Sequence, residues 1–580
     1  MRSGTGGSYK WTALTNATLG ITMASINASI VIISLPAIFR GIHLDPLAPG
    51  NVGYLLWLLM GYLLVAAVLV VSLGRLGDIY GRVRIFNAGF AVFTVGSVAL
   101  ALDPFSAGAG GTWLILWRLV QGVGGAMISA NAVAIVTDAF PSNERGMAVG
   151  IAQVAALAGQ FLGLVAGGLL SQVDWRLVFF VSVPFGLFGT LWSYRSLREL
   201  GVRTPASIDW AGNLTFALGL TAVLAAITYG IQPYGGHNMG WTNPWVLAGL
   251  VGGSLLLVAF VGLERRVAEP MVSLALFRIR AFWSSQAANL MAAIARGGLQ
   301  FMLIIWLQGI WLPLHGYAFS DTPLWAGIYL LPLTFGFLVA GPLAGRLSDR
   351  HGARMFTTGG MVLVAGTFAG LMSLPTDFPF WVFAVLIFLN GVGSGLFGAP
   401  NVTAAMNSVP ADQRGSAGGV NATVQNTGMV LSIGLFFSLM IIGLSASLPG
   451  ALYSGLHAQG IPAATARHLG ALPPVGSLFA AFLGYNPVHL LLASTGALPT
   501  LSHAQVGALT GQHFFPQLIS GPFHTGLIVV FGLAIAVSLV AAAASALRGA
   551  RYVHGEPAAG SAAQPVLDPS GAAQTPIGPG

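Results

Sequence analysis

The stretch VGYLLWLLMGYLLVAAVLVVSLG, residues 52–74, contains no Asp, Glu, Lys, Arg or His. A run of that length can cross a hydrocarbon layer, where no water meets a free peptide group, so the backbone must satisfy itself as a helix. Comparable runs bounded by polar turns predict spans at 12–38, 52–73, 85–103, 112–136, 147–170, 177–196, 209–229, 243–262, 282–311, 325–345, 355–374, 381–404, 416–443 and 524–547, fourteen in all. The expected fold class is therefore all-α integral membrane. Composition agrees, with 55% hydrophobic and 7% charged residues and a mean hydropathy of +0.80, far outside the range of soluble domains. The apolar run that begins near Trp11 is too long for a secretory signal and reads as the first span.

An even number of spans places both termini on one face, and the basic residues identify it. Arg40, Arg176 and Arg467 fall on one face and Arg118 and Arg296 fall inside spans; every other member of the 24 Lys and Arg falls on the opposite face. Positive charge accumulates on the cytoplasmic side of membrane proteins. The expectation is a plasma (inner) membrane protein, multi-pass, with both termini cytoplasmic. The net charge of +8 is spread over many short loops and not gathered on one surface, which argues against a nucleic-acid partner. With no cysteine in the chain, disulfides, thiolate metal sites and cysteine nucleophiles are excluded. No Walker loop, HExxH or GxSxG occurs, so neither an enzyme nor a primary pump is expected, and no cofactor or metal is called for. Gly393, Gly395 and Gly398 fit GxGxxG but lie in an apolar helix with no preceding strand, which removes the nucleotide reading.

The chain is internally repeated. GRLGDIYGRVR (74–84) returns as GRLSDRHGAR (345–354), FPSNERGMAVGIAQ (140–153) as VPADQRGSAGGVNA (409–422), and RLVQGVGGAM (118–127) as FLNGVGSGLF (388–397). The natural unit is six helices, giving halves at 12–196 and 282–547 with two inserted helices at 209–262. Repeated membrane halves with a site at their interface suit alternating access. The crowded loops then read as a gate, Gly74, Arg75, Asp78, Gly81 and Arg82 in the first copy and Gly345, Asp349, Arg350, Gly352 and Arg354 in the second. Glycines permit the tight turn and the aspartate caps a helix or pairs with a base. A latch formed in one conformation and broken in the other is the expected role.

These residues resemble the major facilitator superfamily, and within it the fourteen-helix drug:proton antiporter group. Gly74, Asp78, Gly81 and Arg82 fall on that group's cytoplasmic loop motif and Arg118 on its fourth-helix motif. WRLVFFVSVPFG (175–186) is similar to the start of its sixth helix. The resemblance implies the major facilitator fold, proton-coupled efflux and a coupling or gating role for Arg118. Two positions depart from the pattern. Residues 26–36 read INASIVIISLP, with Asn27 where the group carries a carboxylate, and GLVAGG (163–168) has Leu164 where proline is usual, leaving Gly163, Gly167 and Gly168 as one expected close-packing face.

All sixteen acids fall in loops, the tail or helix ends, and Asp103 and Asp209 are the nearest to a span and hence coupling candidates beside Arg118. Arg296 precedes Gly297 and Gly298, where an over-long helix is expected to be interrupted, and either contacts a substrate carboxylate or phosphate or snorkels. With it, Asn27, Asn131, Gln153, Asn289, Gln300, Gln308 and Asn421 are candidate cavity liners, each of them also able to serve as an interhelical hydrogen bond. Residues 444–523 are expected to be an external loop, open to an external partner, and 555–580 has the composition of a disordered cytoplasmic tail. The reading is a monomeric secondary transporter in the bilayer exporting amphiphilic or drug-like compounds. The alternatives are a lipid or lipid-like molecule exporter or flippase without a first-helix proton site, and a non-transporting receptor or scaffold.

Overall fold

The computed structural model describes residues 6–45, 51–141, 144–200, 209–267, 273–410, 413–470, 474–483 and 501–549, together with Pro270, Asn486, Val488 and Leu492. Fourteen of its helices are long and apolar enough to cross a membrane. The first bundle comprises α1 (Gly6–Gly41), α2 (Val52–Tyr80), α3 (Arg82–Ala101), α4 (Ala107–Ala139), α5 (Arg145–Val173) and α6 (Leu177–Ser196). The inserted pair is α7 (Trp210–Gly230) and α8 (Pro244–Glu264). The second bundle begins with α9 (Arg280–Leu314), α10 (Thr322–Ser348), α11 (Ala353–Met372), α12 (Phe380–Asn407) and α13 (Arg414–Ala458). Three short helices follow, α14 (Ala463–Gly470), α15 (Pro474–Phe482) and α16 (His503–Thr510), before the last span, α17 (Phe514–Ala546). The proposed tail at 555–580 lies outside the described residues.

The repeat read in the sequence reappears as side-chain geometry. A Cβ on Gly124 of α4 would lie 2.9 Å from the Gly89 carbonyl of α3, and one on Gly393 of α12 would lie 2.7 Å from the Gly360 carbonyl of α11. Gln121 Nε2 donates to Ser97 Oγ at 2.8 Å in the first half and Asn390 Nδ2 to Thr367 Oγ1 at 2.8 Å in the second. Small residues at matched positions let two helix pairs approach in the same way, as membrane packing without a hydrophobic driving force requires. The GxGxxG glycines are thus spent on helix contacts, Gly393 against α11 and Gly395 against α10.

Two sequence expectations are corrected. Helix α9 runs unbroken through Arg296, Gly297 and Gly298; its irregularity is a π-helical turn at Leu307–Trp311. The glycines serve close approach instead, since a Cβ on Gly297 would meet Ser432 Oγ at 2.2 Å and one on Gly298 the Phe436 ring at 2.1 Å, both on α13. The 444–523 loop is also mostly helix. Helix α13 continues to Ala458 because Leu444, Leu448, Leu452 and Leu456 repeat every fourth residue and are all buried, and α17 begins at Phe514. The remaining segment folds back on the second half: Phe479 stacks on Phe437 with centroids 5.3 Å apart, and Gln505 Nε2 donates to the Gln459 carbonyl at 3.0 Å. Its apolar patch is therefore used inside the molecule.

Two seams join the halves. At one, α13 lies on α2, with Thr423 Oγ1 donating to the Ala67 carbonyl at 3.0 Å. Helix α7 covers this seam, reaching α2 through Ser72 with Asn213 and Thr228 with Met60, and α13 through Ile227 against Gly434. At the other, α5 lies on α10, and a Cβ on Gly168 would lie 2.5 Å from Leu324 Cα.

Candidate functional site

The end of the first half that carries GRLGDIYGRVR is held by one arginine. Arg82 pairs with Asp78 at 2.8 Å, in the last turn of α2, and with Asp138 at 2.6 Å, in the last turn of α4. Glu199, just beyond α6, accepts from the backbone N–H groups of Arg82 at 2.9 Å and Val83 at 3.1 Å. These are the free donors at the start of α3, where a carboxylate is most favourable. Gly81 is required twice over, since its φ of 114° suits glycine and a Cβ there would stand 2.6 Å from Glu199 Oε2. Lys10 pairs with Glu144 at 2.5 Å and joins α1 to the approach of α5.

Every partner of Arg82 belongs to the first half. The cluster thus ties the ends of α2, α3, α4 and α6 together, and its contacts stay within the first half. Asp138 and Glu199 were not singled out in the sequence, because neither lies in a repeated motif. Arg75 makes no ion pair among the described residues. In the second copy Gly352 keeps the turn, with φ 84°, Gly345 lies within α10 facing Ala399 as Gly74 faces Ala130, and Arg350 and Arg354 are exposed. The Asp349 side chain lies outside the described residues. Asp138→Asn is expected to lower thermal stability in detergent by about 1–2 kcal/mol, because Arg82 keeps one carboxylate of two. An unchanged melting temperature would contradict that role.

Deeper in the same half, Arg118 is buried with no ion pair to a carboxylate among the described residues. It donates to Asn27 Oδ1 and, at 2.7 Å, to Gln121 Oε1, and its guanidinium lies 4.8 Å from the centroid of the Tyr62 ring. Asn27 Nδ2 donates onward to Ser182 Oγ at 3.2 Å. A cation without a counter-ion is here solvated by amide dipoles and an aromatic face. Asn27 is thereby a ligand of Arg118 and not a cavity liner.

Between the halves lies a cavity of about 250 Å³. It is walled by residues 21–28 of α1, 62–66 of α2, 129–137 of α4, 149–160 of α5, Arg296 of α9, 402–407 of α12 and 418–429 of α13. These are the gate-side portions of α4, α5, α12 and α13, so the space occupies the gate-side part of the interface, while Gly168 against Leu324 closes the opposite end. A recess of about 40 Å³ continues into the second half, and Gln153, Arg296 and Gln425 line both spaces.

Of the sequence candidates, Gln153, Arg296 and Asn421 line the cavity, and Asn289 lines the recess while donating to Asn421 Oδ1 at 3.1 Å. Asn131 is spent on the Leu73 and Met127 carbonyls, wedged against Gly77 between α2 and α4. Gln300 is buried away from both spaces, and Gln308 sits in the π-helical turn. Gly163 and Gly167 pack on α1 whereas Gly168 meets α10, so the three form two faces. Asp209 caps α7 by accepting from Gly212 N at 2.8 Å. Asp103 follows α3 at the end opposite the gate, where burial pushes its carboxyl above the ordinary aspartate range against the opposing pull of the Phe105 N–H and Arg176. Neither acid lines the cavity. Gln160, Gln425 and Asn426 were missed; Gln160 and Gln425 stand seven and four residues from the candidates Gln153 and Asn421, a helical spacing that points them the same way.

A profile of the Major Facilitator Superfamily matches residues 17–209 and 209–433. This chain belongs to that superfamily. It is a multi-pass membrane transporter and not an enzyme. The chain is 28% identical over 537 residues, 92% of its length and 90% of the relative's, to the tetracenomycin C resistance and export protein of Streptomyces glaucescens. It is 32% identical to the multidrug resistance protein Stp of Mycobacterium tuberculosis (strain CDC 1551 / Oshkosh), covering 74% of this chain and 76% of that one. The fold is similar to that of a bacterial homologue of the human lysosomal transporter Spinster, at a TM-score of 0.54 and 17% identity, over 94% of this chain and 99% of that one.

Proposed function

We propose that this superfamily member exports amphiphilic, drug-like small molecules by alternating access, acting as a monomer in the plasma (inner) membrane with the gate face and both termini in the cytoplasm. The observation that carries the reading is the cavity itself, walled by both halves on the gate side and shut at the far end by the approach of α5 to α10. Rocking the halves about this space would expose it to the other face. The export and resistance functions named for the relatives support the direction, and the one-sided distribution of arginines supports the orientation. The presence of Arg296 in the wall weighs against a purely lipid-like cargo.

Coupling to protons falls to a group outside the first helix, because Asn27 exchanges no proton near neutrality. Asp103 is that group in this reading, since its buried position favours the protonated form at the far face. The test is uptake of fluorescent amphiphiles of either charge into inverted vesicles, with and without an imposed pH gradient. Gradient-driven uptake is expected in the native protein and expected to be lost in Asp103→Asn. Asn27→Asp, which places a carboxylate against Arg118, is expected to add a second pH-dependent step. Absence of uptake of every dye would end the export reading. Gradient-driven uptake surviving in Asp103→Asn would end the assignment of the proton.

A further inference from the structure

The two arginines inside the spans are held in opposite ways. Arg118 donates through Nη1 to both Asn27 and Gln121 and lies over the face of Tyr62, although its Nε has no partner. Arg296 makes no hydrogen bond or ion pair with any described residue, and its Nε is buried without a partner. It nevertheless stands in the wall of both the cavity and the recess. Neither space is lined by any Asp, Glu, Lys or His, and the one other ionisable group, Tyr62, already lies beneath Arg118.

An arginine that serves packing alone would be satisfied by carbonyls, as a cation in a membrane interior is costly unless its donors are engaged. We propose that Arg296 is a substrate-binding residue that selects amphiphiles bearing a delocalised negative charge, aromatic carboxylates or phenolates. This rests on the export reading above and names its substrate class. The planar guanidinium presents a fork of donors to a carboxylate, and Gln153 and Gln425, which line both spaces, add neutral amide donors around the same point. The rest of the main wall is largely apolar, from Ile21, Leu63, Val133 and Leu157 to Met429, and receives the hydrophobic body. A cationic amphiphile meets the opposite situation, with one uncompensated like charge and no carboxylate to receive it.

The experiment is binding of three dyes to the full-length protein in nanodiscs, with empty nanodiscs subtracted: carboxyfluorescein as anion, rhodamine 6G as cation and Nile red as neutral control. The native protein is expected to bind the anion about tenfold or more tighter than the cation. Arg296→Gln is expected to abolish that preference and retain Nile red, because no protein acceptor loses a donor. Arg296→Lys, which keeps the charge, is expected to keep the sign of the preference. Equal native affinities for anion and cation would overturn the proposal, as would an anion preference that survives Arg296→Gln or one that disappears in Arg296→Lys. The export reading fails separately: anion binding without transport would remove it and leave the binding role of Arg296 standing.

Discussion

Arg118→Leu is expected to abolish transport and to weaken the fold. The substitution leaves Asn27 Oδ1 and Gln121 Oε1 without their common donor in a buried site, at a cost on the order of 1–3 kcal/mol for each orphaned acceptor. Because Arg118 is on α4 and Asn27 on α1, the loss also removes a buried link between these two helices, while Asn27 keeps its bond to Ser182 of α6. Arg118→Lys should fall between, since the shorter ammonium keeps the charge and its donors but cannot lie flat on Tyr62 as the guanidinium does. Thermal melting in detergent and vesicle uptake together separate the outcomes. Uptake near the native rate in Arg118→Leu would show the network to be dispensable.

The second large effect is expected at the far seam. In Gly168→Val even the first carbon of the new side chain would lie 2.5 Å from Leu324 Cα, a backbone atom that no rotamer change can move. Overlap of this kind costs roughly 1–3 kcal/mol, enough to shift a two-state ratio by on the order of ten- to a hundredfold against the closed arrangement. The chain has no cysteine, so a pair introduced at Ser171 and Ser320 can be spin-labelled uniquely. The distance distribution between the labels is expected to lengthen in Gly168→Val and export to fall at least tenfold. An unchanged distribution would mean that the helices bend locally and that this contact does not set the conformation.

The parts of the fold governed by one-dimensional rules were readable from the chain. Spanning length and backbone satisfaction located fourteen spans, as many as the described residues hold. Failures came where a three-dimensional partner decides. Gly297 and Gly298 resembled a break because glycine is permissive, but Ser432 and Phe436 on α13 require the missing side chains. Helix α13 seemed to end near 443, although the buried leucines at every fourth position carry it on to Ala458. The polar candidates divided in the same way. Asn131 and Asn27 are as polar as Gln153, and only the neighbouring helices determine that Leu73, Met127 and Arg118 occupy them. Asp138 and Glu199 were hidden because a guanidinium and the free N–H groups at a helix start recruit carboxylates across space, from elements whose sequences carry no motif.

The inserted pair gives the transporter a left and a right. Helix α7 lies over the α2–α13 seam and α8 lies outside it, with only 17% of its most apolar window buried. Among the described residues no helix pair stands over the α5–α10 seam in the same way. Bilayer lipid thus presses directly on one line of contact and is kept from the other by the thickness of two helices. Cargo already dissolved in the membrane would have a single doorway, and the composition of the lipid along that one side should matter more to efflux than along the other.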